Sequence, residues 1–170
     1  MLFGLAAIGS FCIAANLWSS GLTPPASAIG ARVRGATPAV NAMLATGARR
    51  SSTFARLVRE IGETDLIVYV EITNTLPPGL DGRMTFLVRT GGVRYLRVQV
   101  PTSLPKDELI AVIGHELQHA LEVAAHPNVQ SSQDLATLYR LIGLQSPGVE
   151  RYDTAEARSI GRRVRAELMD

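Results

Sequence analysis

Residues 105–125 read PKDELIAVIGHELQHALEVAA, and this stretch decides the organisation of the chain around it. Pro105 near the start, with Asp107 and Glu108 in the first turn, predicts a helix that His126-Pro127 ends. At about 100° per residue, one side of this helix is apolar and the opposite side carries the titratable residues. The apolar side consists of Ile110, Ile113, Leu117, Leu121 and Ala124.

The titratable side carries the two histidines of the segment His115-Glu116-Leu117-Gln118-His119. Two histidines four residues apart project from the same side of a helix and can bind one metal ion. Glu116 lies beside them, where its carboxylate can reach a metal-bound water without ligating the metal. The spacing therefore favours metal-assisted hydrolysis. A solvated helix face and a purely structural metal site are the alternatives.

The elements before this helix predict a small sheet. Ser51-Ser52 caps a short amphipathic helix that ends near Gly62. Residues 66–72, 83–90 and 93–100 follow as predicted strands, separated by a loop over 77–82 and a tight hairpin at Gly91-Gly92. Along 93–100 an apolar face alternates with a mixed one, which suggests an edge strand. Leu96, Val98 and Val100 lie on the apolar face together with Arg94, and Val93, Tyr95, Arg97 and Gln99 lie on the mixed one.

Two more helices follow the metal-binding helix. Ser131-Ser132 caps the first, which ends near Gly143, and Asp153 or Thr154 begins the second. We therefore predict an α+β fold with a short N-terminal helix, a three-stranded and mainly antiparallel sheet, the active-site helix and two further helices. This domain covers residues 51–170, and residues 29–50 form a loose or partly helical lead-in.

Residues 1–28 contain no Asp, Glu, Lys or Arg, and the segment ends in Ala26-Ser27-Ala28. This pattern predicts a signal peptide cleaved after Ala28. An uncleaved membrane anchor over residues 2–18 is the alternative, since that apolar run is at the short end for spanning a bilayer. Both interpretations place the domain outside the cytoplasm, as a secreted or periplasmic protein, with membrane attachment only if the segment is uncleaved.

Composition limits the remaining function classes. The 170 residues are 46% hydrophobic and carry a net charge of +2, which suits one globular domain and argues against a nucleic-acid binder. The single cysteine, Cys12, excludes an internal disulfide and a thiolate zinc site. Any metal must therefore be held by nitrogen and oxygen atoms.

The segment from His115 to His119, on a helix that follows a small sheet, resembles the zincin metallopeptidases and most closely their compact gluzincin branch. The resemblance covers residues 51–170 in element order but specific residues only at 115–119 and in the last helix. It implies Zn²⁺ as cofactor, a peptide or protein as substrate, and an edge strand, here 93–100, that pairs with an extended peptide.

The resemblance also implies that Glu156, in a later helix, is the third zinc ligand. The other candidate carboxylates are Glu122, Asp134, Glu150 and Asp153. Glu122 lies about 10 Å from His115 along the same helix, which suits a residue of the helix face or one that orients a histidine better than a ligand. Glu122, Asp134 or a backbone carbonyl could orient the imidazoles. Asp153-x-x-Glu156 also matches a capping box. The family often has an acidic residue four positions after this glutamate, whereas this chain has Ile160.

Under this hypothesis His115, His119 and Glu156 bind zinc, and Glu116 removes a proton from the attacking water. A further group must stabilise the oxyanion, and among Tyr152, Tyr139, Arg151 and His126 we favour Tyr152. The alternative function is a non-catalytic extracytoplasmic binding or envelope-associated module that has a vestigial or structural metal site.

Overall fold

The structure, a computed structural model, describes residues 32–77, 79–145 and 152–170. These residues form five helices and six strands. The elements are β1 (Val33–Gly35), α1 (Pro38–Arg50), α2 (Ser52–Gly62), β2 (Leu66–Thr73), β3 (Arg83–Thr90), β4 (Val93–Pro101), α3 (Lys106–Ala124), α4 (Ser132–Ile142), β5 (Leu144–Gln145), β6 (Tyr152–Asp153) and α5 (Ala155–Met169).

The main sheet has the order β1-β2-β4-β3. β1 and β4 both pair with β2 in parallel, and β3 pairs with β4 in the antiparallel sense. The general α+β class is right, but the predicted three-stranded, mainly antiparallel sheet is wrong, because the described sheet has four strands and is mixed. A hairpin leaves a local turn signal in the sequence, whereas parallel pairing between distant segments does not.

The predicted edge strand is also wrong. β4 lies between β2 and β3, and the edge strands of this sheet are β1 and β3. Apolar alternation shows which face of a strand is covered, but it carries no information on whether both of its edges are hydrogen-bonded. The tight hairpin at Gly91 and Gly92 is confirmed, and both glycines have positive φ angles of 56° and 77°.

The lead-in is part of the core. Thr37 caps α1 through its side chain and Pro38 occupies the first turn, while Val33, Val40 and Leu44 are buried. β1 is only three residues long, too short to show a periodic pattern in the sequence.

The helices predicted from Ser51 onward are confirmed in position. Ser51, Ser131 and Thr154 each accept a hydrogen bond from a backbone N–H as the N-caps of α2, α4 and α5. α3 is covered on more than its apolar side, because Glu116 and His119 are buried as well. The polar face of α3 is therefore the floor of a site.

The sequence predicts a signal peptide or a membrane anchor at the N-terminus. The signal peptide or anchor at residues 1–28 lies outside the described residues. Within the described residues, no helix is both long enough and apolar enough to cross a membrane.

Candidate metal centre

α3 places the two histidines of the motif one turn apart. His115 and His119 lie edge to face, with ring centroids 4.8 Å apart. The His119 side chain is only 5% exposed, whereas that of His115 is 24% exposed. Burial lowers the pKa of His115, which favours the neutral imidazole that a metal requires.

Asp153 completes the group. It ends β6, immediately before the N-cap of α5, and its Oδ1 lies 3.3 Å from His115 Nε2 and 3.7 Å from His119 Nε2. One ligand atom from each of the three residues lies within 4.8 Å of the others. Together, these residues could hold a metal ion.

The two oxygens of Asp153 have different surroundings. Oδ2 accepts a hydrogen bond of 2.6 Å from Arg158 Nε, whereas Oδ1 is buried and has no hydrogen-bond partner among the described residues. Burial alone would raise the pKa of Asp153, but its contacts with His119 and Arg158 hold that pKa well below its usual range. The carboxylate is therefore ionised, with one oxygen available between the two imidazoles.

Glu122 orients His119. Its Oε2 lies 2.7 Å from His119 Nδ1, and its Oε1 accepts a hydrogen bond of 2.6 Å from the Thr154 hydroxyl. This contact to Nδ1 leaves Nε2 of His119 facing Asp153. A carboxylate on the far nitrogen is the usual arrangement for a histidine that binds metal. The predicted orienting role of Glu122 matches its position.

The charges around His119 favour a cation. Although burial would lower the pKa of His119, Asp153 and Glu122 raise it to about 9. The same two carboxylates would stabilise a divalent ion, which would have to displace the proton from Nε2.

Two glycines let α5 approach α3 at this point. A Cβ at Gly161 would lie 3.2 Å from His115 Cβ, and a Cβ at Gly114 would lie 3.0 Å from Val164 Cγ2. Side chains at these positions would press the helices apart. Small residues at the crossing therefore hold His115 against α5, close to Asp153.

Glu116 lies beside the group rather than in it. Its carboxyl is buried, and burial raises its pKa to about 7. Gly82, just before β3, closes over it: a Cβ there would lie 2.5 Å from Glu116 Oε1. A carboxyl with a pKa near neutrality can both accept and return a proton.

The metal group and Glu116 line a cavity of about 490 Å³. Its walls are formed by α3, α5 and the segment 79–84, and Tyr139 of α4 lines it as well. The Tyr139 hydroxyl donates a hydrogen bond to the backbone oxygen of His119, and burial raises the pKa of this phenol. Tyr139 therefore supports α3 from below the ring of His119.

The other predicted site residues lie elsewhere. Glu156 is exposed in the first turn of α5 and does not belong to the metal group. The N-cap is Thr154, so Asp153 and Glu156 do not have the spacing of a capping box. His126 Nδ1 contacts the carbonyl of Glu122 at the end of α3, outside the cavity. The side chain of Tyr152 lies outside the described residues, as do Glu150 and Arg151.

Sequence reasoning included Asp153 among five carboxylates but did not select it. In the sequence, Asp153 is marked only by its place next to the N-cap of a helix. A residue that merely caps the helix has the same kind of position. Only the position of β6 beside α3 distinguishes Asp153 as a candidate metal ligand from a capping residue.

No family model, curated protein or solved structure matches this chain. The function is therefore argued from the chemistry of the site alone.

Proposed function

We propose that the protein is a zinc-dependent peptidase in which His115, His119 and Asp153 hold the metal and Glu116 is the general base. The observation that carries this proposal is the buried, unpartnered Oδ1 of Asp153 between two imidazole nitrogens. A buried carboxylate oxygen without a hydrogen bond is costly, and a cation at this position would remove that cost.

The donor set fits zinc. Two imidazole nitrogens and one carboxylate oxygen are typical of catalytic zinc sites, which leave a fourth position for water. Tetrahedral ligands at about 2.1 Å from a metal lie about 3.4 Å from one another. The distances from Asp153 Oδ1 to the two Nε2 atoms, 3.3 Å and 3.7 Å, are close to that spacing, and all three ligand atoms lie within 4.8 Å of one another.

When bound, zinc supplies a Lewis acid that acidifies water and polarises a carbonyl oxygen. The residues of the chain supply the proton transfers and the positioning. The Glu116 carboxylate would accept a proton from the attacking water and return it to the leaving amine. Glu122 would hold the His119 ring in one tautomer throughout, because its oxygen accepts the Nδ1 proton.

An extended peptide would bind along β3. Arg83 and Met84, at the beginning of this edge strand, line the cavity that contains the metal group. An edge strand offers free backbone groups for pairing, which recognises an extended chain with little dependence on its sequence. The predicted role of Tyr152 as oxyanion donor stays a prediction.

The experiment is to measure zinc and hydrolysis together in the purified protein. Elemental analysis after dialysis against zinc should find about one zinc per chain in the wild type. The His119→Ala variant should lose both zinc and activity. The Glu116→Gln variant should keep zinc while cleavage of a peptide library falls by about 10²–10⁴-fold.

Two results would contradict this proposal. Undiminished hydrolysis by Glu116→Gln would remove the general base. Stoichiometric zinc in a wild type that cleaves no peptide would point instead to a structural metal site in a binding module.

A further inference from the structure

One wall of the cavity carries a row of arginines. Arg158, Arg162 and Arg165 all line it from α5. Their spacing of four and three residues places them on one face of the helix, about 6 Å and 4.5 Å apart along its axis. The row runs from the metal group, where Arg158 contacts Asp153, toward the start of α3, where Arg165 contacts Glu108.

The two outer arginines are already paired. Arg158 Nε donates to Asp153 Oδ2, and Arg165 donates to Glu108 Oε2 through Nε and Nη2 at 3.0 Å and 2.5 Å. Their charges are largely neutralised by these carboxylates. These two ion pairs fix the two ends of the row. The arginine between them has no such carboxylate partner among the described residues.

Arg162 is that central position. It is exposed to the cavity and forms no hydrogen bond or ion pair with any residue that the structure describes. Asp81 lines the same cavity from the segment before β3, yet the two residues form no ion pair. Arg83, also a lining residue, donates to Gln99 and adds a second positive charge to the cavity. A substrate anion in this part of the cleft would meet a guanidinium that no described carboxylate neutralises.

We propose that Arg162 binds a carboxylate of the peptide substrate and so makes the enzyme select peptides that present a carboxylate there. This inference rests on the proposed peptidase function. Arg162 lies about 6 Å beyond Arg158 along α5, and an extended peptide advances about 3.3 Å per residue. The bound carboxylate would therefore lie about one turn of α5 beyond the arginine that contacts Asp153.

A peptide offers a carboxylate from two sources, an acidic side chain or its free C-terminus. A guanidinium binds either one through paired N–H donors. The first source would make the protein an endopeptidase that prefers Asp or Glu near the cleaved bond. The second would limit cleavage to the end of a chain.

Calorimetric titration with short N-acetylated peptides of Gly, Ala and Ser separates these sources. One peptide contains a single Glu and an amidated C-terminus, the second has no Glu and a free C-terminus, and the third is neutral throughout. Each is titrated into zinc-loaded Glu116→Gln protein, which should not consume it, and into metal-free wild type. Parallel titrations use the same proteins with Arg162→Gln or with Arg163→Gln. Arg163 is the matched control, because it is an exposed arginine of α5 outside the cavity lining.

We expect at least one carboxylate peptide to bind about fivefold more tightly than the neutral peptide, with the difference decreasing as salt is added. Arg162→Gln should abolish this difference and Arg163→Gln should retain it. Arg162→Glu should reverse the preference toward a peptide in which Lys replaces Glu. Equal binding of all peptides up to millimolar concentration, or the same loss in Arg163→Gln, would overturn the assignment.

Because these titrations need no turnover, they separate the two proposals. Charge-selective binding through Arg162 in a protein that cleaves nothing would reject the peptidase and keep the carboxylate site. Cleavage of acidic and neutral peptides at equal rates, unchanged by Arg162→Gln, would reject the carboxylate site and keep the peptidase.

Discussion

Arg94 and Asp153 are both charged residues packed against α3, but their hydrogen bonding differs. Arg94 is 1% exposed and uses all of its guanidinium nitrogens. Nε and Nη2 donate to Asp65 at 2.8 Å and 2.7 Å. Nη1 donates to the backbone oxygens of Val123, His126 and Val129, at or just beyond the C-terminal end of α3. This buried charge is fully satisfied and closes the end of the helix.

Asp153 presents the opposite case. One of its oxygens is paired with Arg158, while the other is buried between two histidines without a hydrogen bond in the described part of the chain. A satisfied buried charge stabilises one conformation, whereas an unsatisfied one indicates a missing partner. This difference distinguishes Arg94, a structural charge, from Asp153, the proposed metal ligand, in the same small domain.

The largest effect should come from removing the unsatisfied charge. Asp153→Ala deletes an anionic ligand, so zinc affinity should fall by more than about 100-fold, beyond the usual cost of losing an orienting residue. Glu156→Ala, three residues away and exposed, should leave the affinity unchanged. Competition with a chromophoric chelator measures both. A loss of zinc affinity in Glu156→Ala, with normal affinity in Asp153→Ala, would show that Glu156 is the third ligand, as expected from the sequence.

Removing the satisfied charge should affect stability instead. Arg94→Met leaves Asp65 and the carbonyl groups beyond α3 without their donor, so the metal-free protein should lose about 3 kcal/mol of unfolding free energy. Arg89→Met changes its exposed cross-strand neighbour and should cost less than about 0.5 kcal/mol. Urea denaturation measures both variants. Equal losses would show that the buried network contributes nothing specific.

An intermediate effect is expected at Glu122, which connects the metal group to the folded scaffold. Glu122→Gln cannot accept hydrogen bonds from both His119 and Thr154 through two oxygens, so zinc affinity should fall about 10–100-fold. Thr154→Ser keeps the hydroxyl and serves as the control, with affinity close to the wild type. Unchanged zinc binding in Glu122→Gln would mean that helix packing alone orients His119.

The smallest effect concerns pH. The hydrogen bond from Arg94 lowers the pKa of Asp65 below its usual 3.8. The stability from this pair is therefore complete above about pH 4 to 5 and is lost as pH falls through the lowered pKa. Asp65 is 42% exposed, so solvent screening limits the effect to about 1 kcal/mol. Urea denaturation between pH 2 and pH 5 should give a shallower pH dependence for Asp65→Asn, and an identical slope would exclude this contribution.

Local signals predicted the helices and the hairpin well. Ser51 and Ser131 cap helices as expected, and Gly91 and Gly92 form the turn between β3 and β4. These features depend on residues within a few positions of one another, so the sequence shows them directly. The order of strands depends on pairing between distant segments, and it was predicted incorrectly.

The same difference between local and distant contacts applies to the candidate site. The sequence identifies His115, Glu116 and His119 as one group because they lie on one helix. Their spacing can be interpreted from the helical repeat alone. Selecting Asp153 over Glu156 required knowing how β6 and α5 pack against α3, with Gly161 pressed on His115. The sequence by itself brought two histidines and a glutamate together on one helix, since their relative positions depend only on local geometry. Only the tertiary structure decided the third member of the group, the contact between Thr154 and Glu122, and the arginine wall, because those contacts join segments that the chain separates by about thirty to sixty residues.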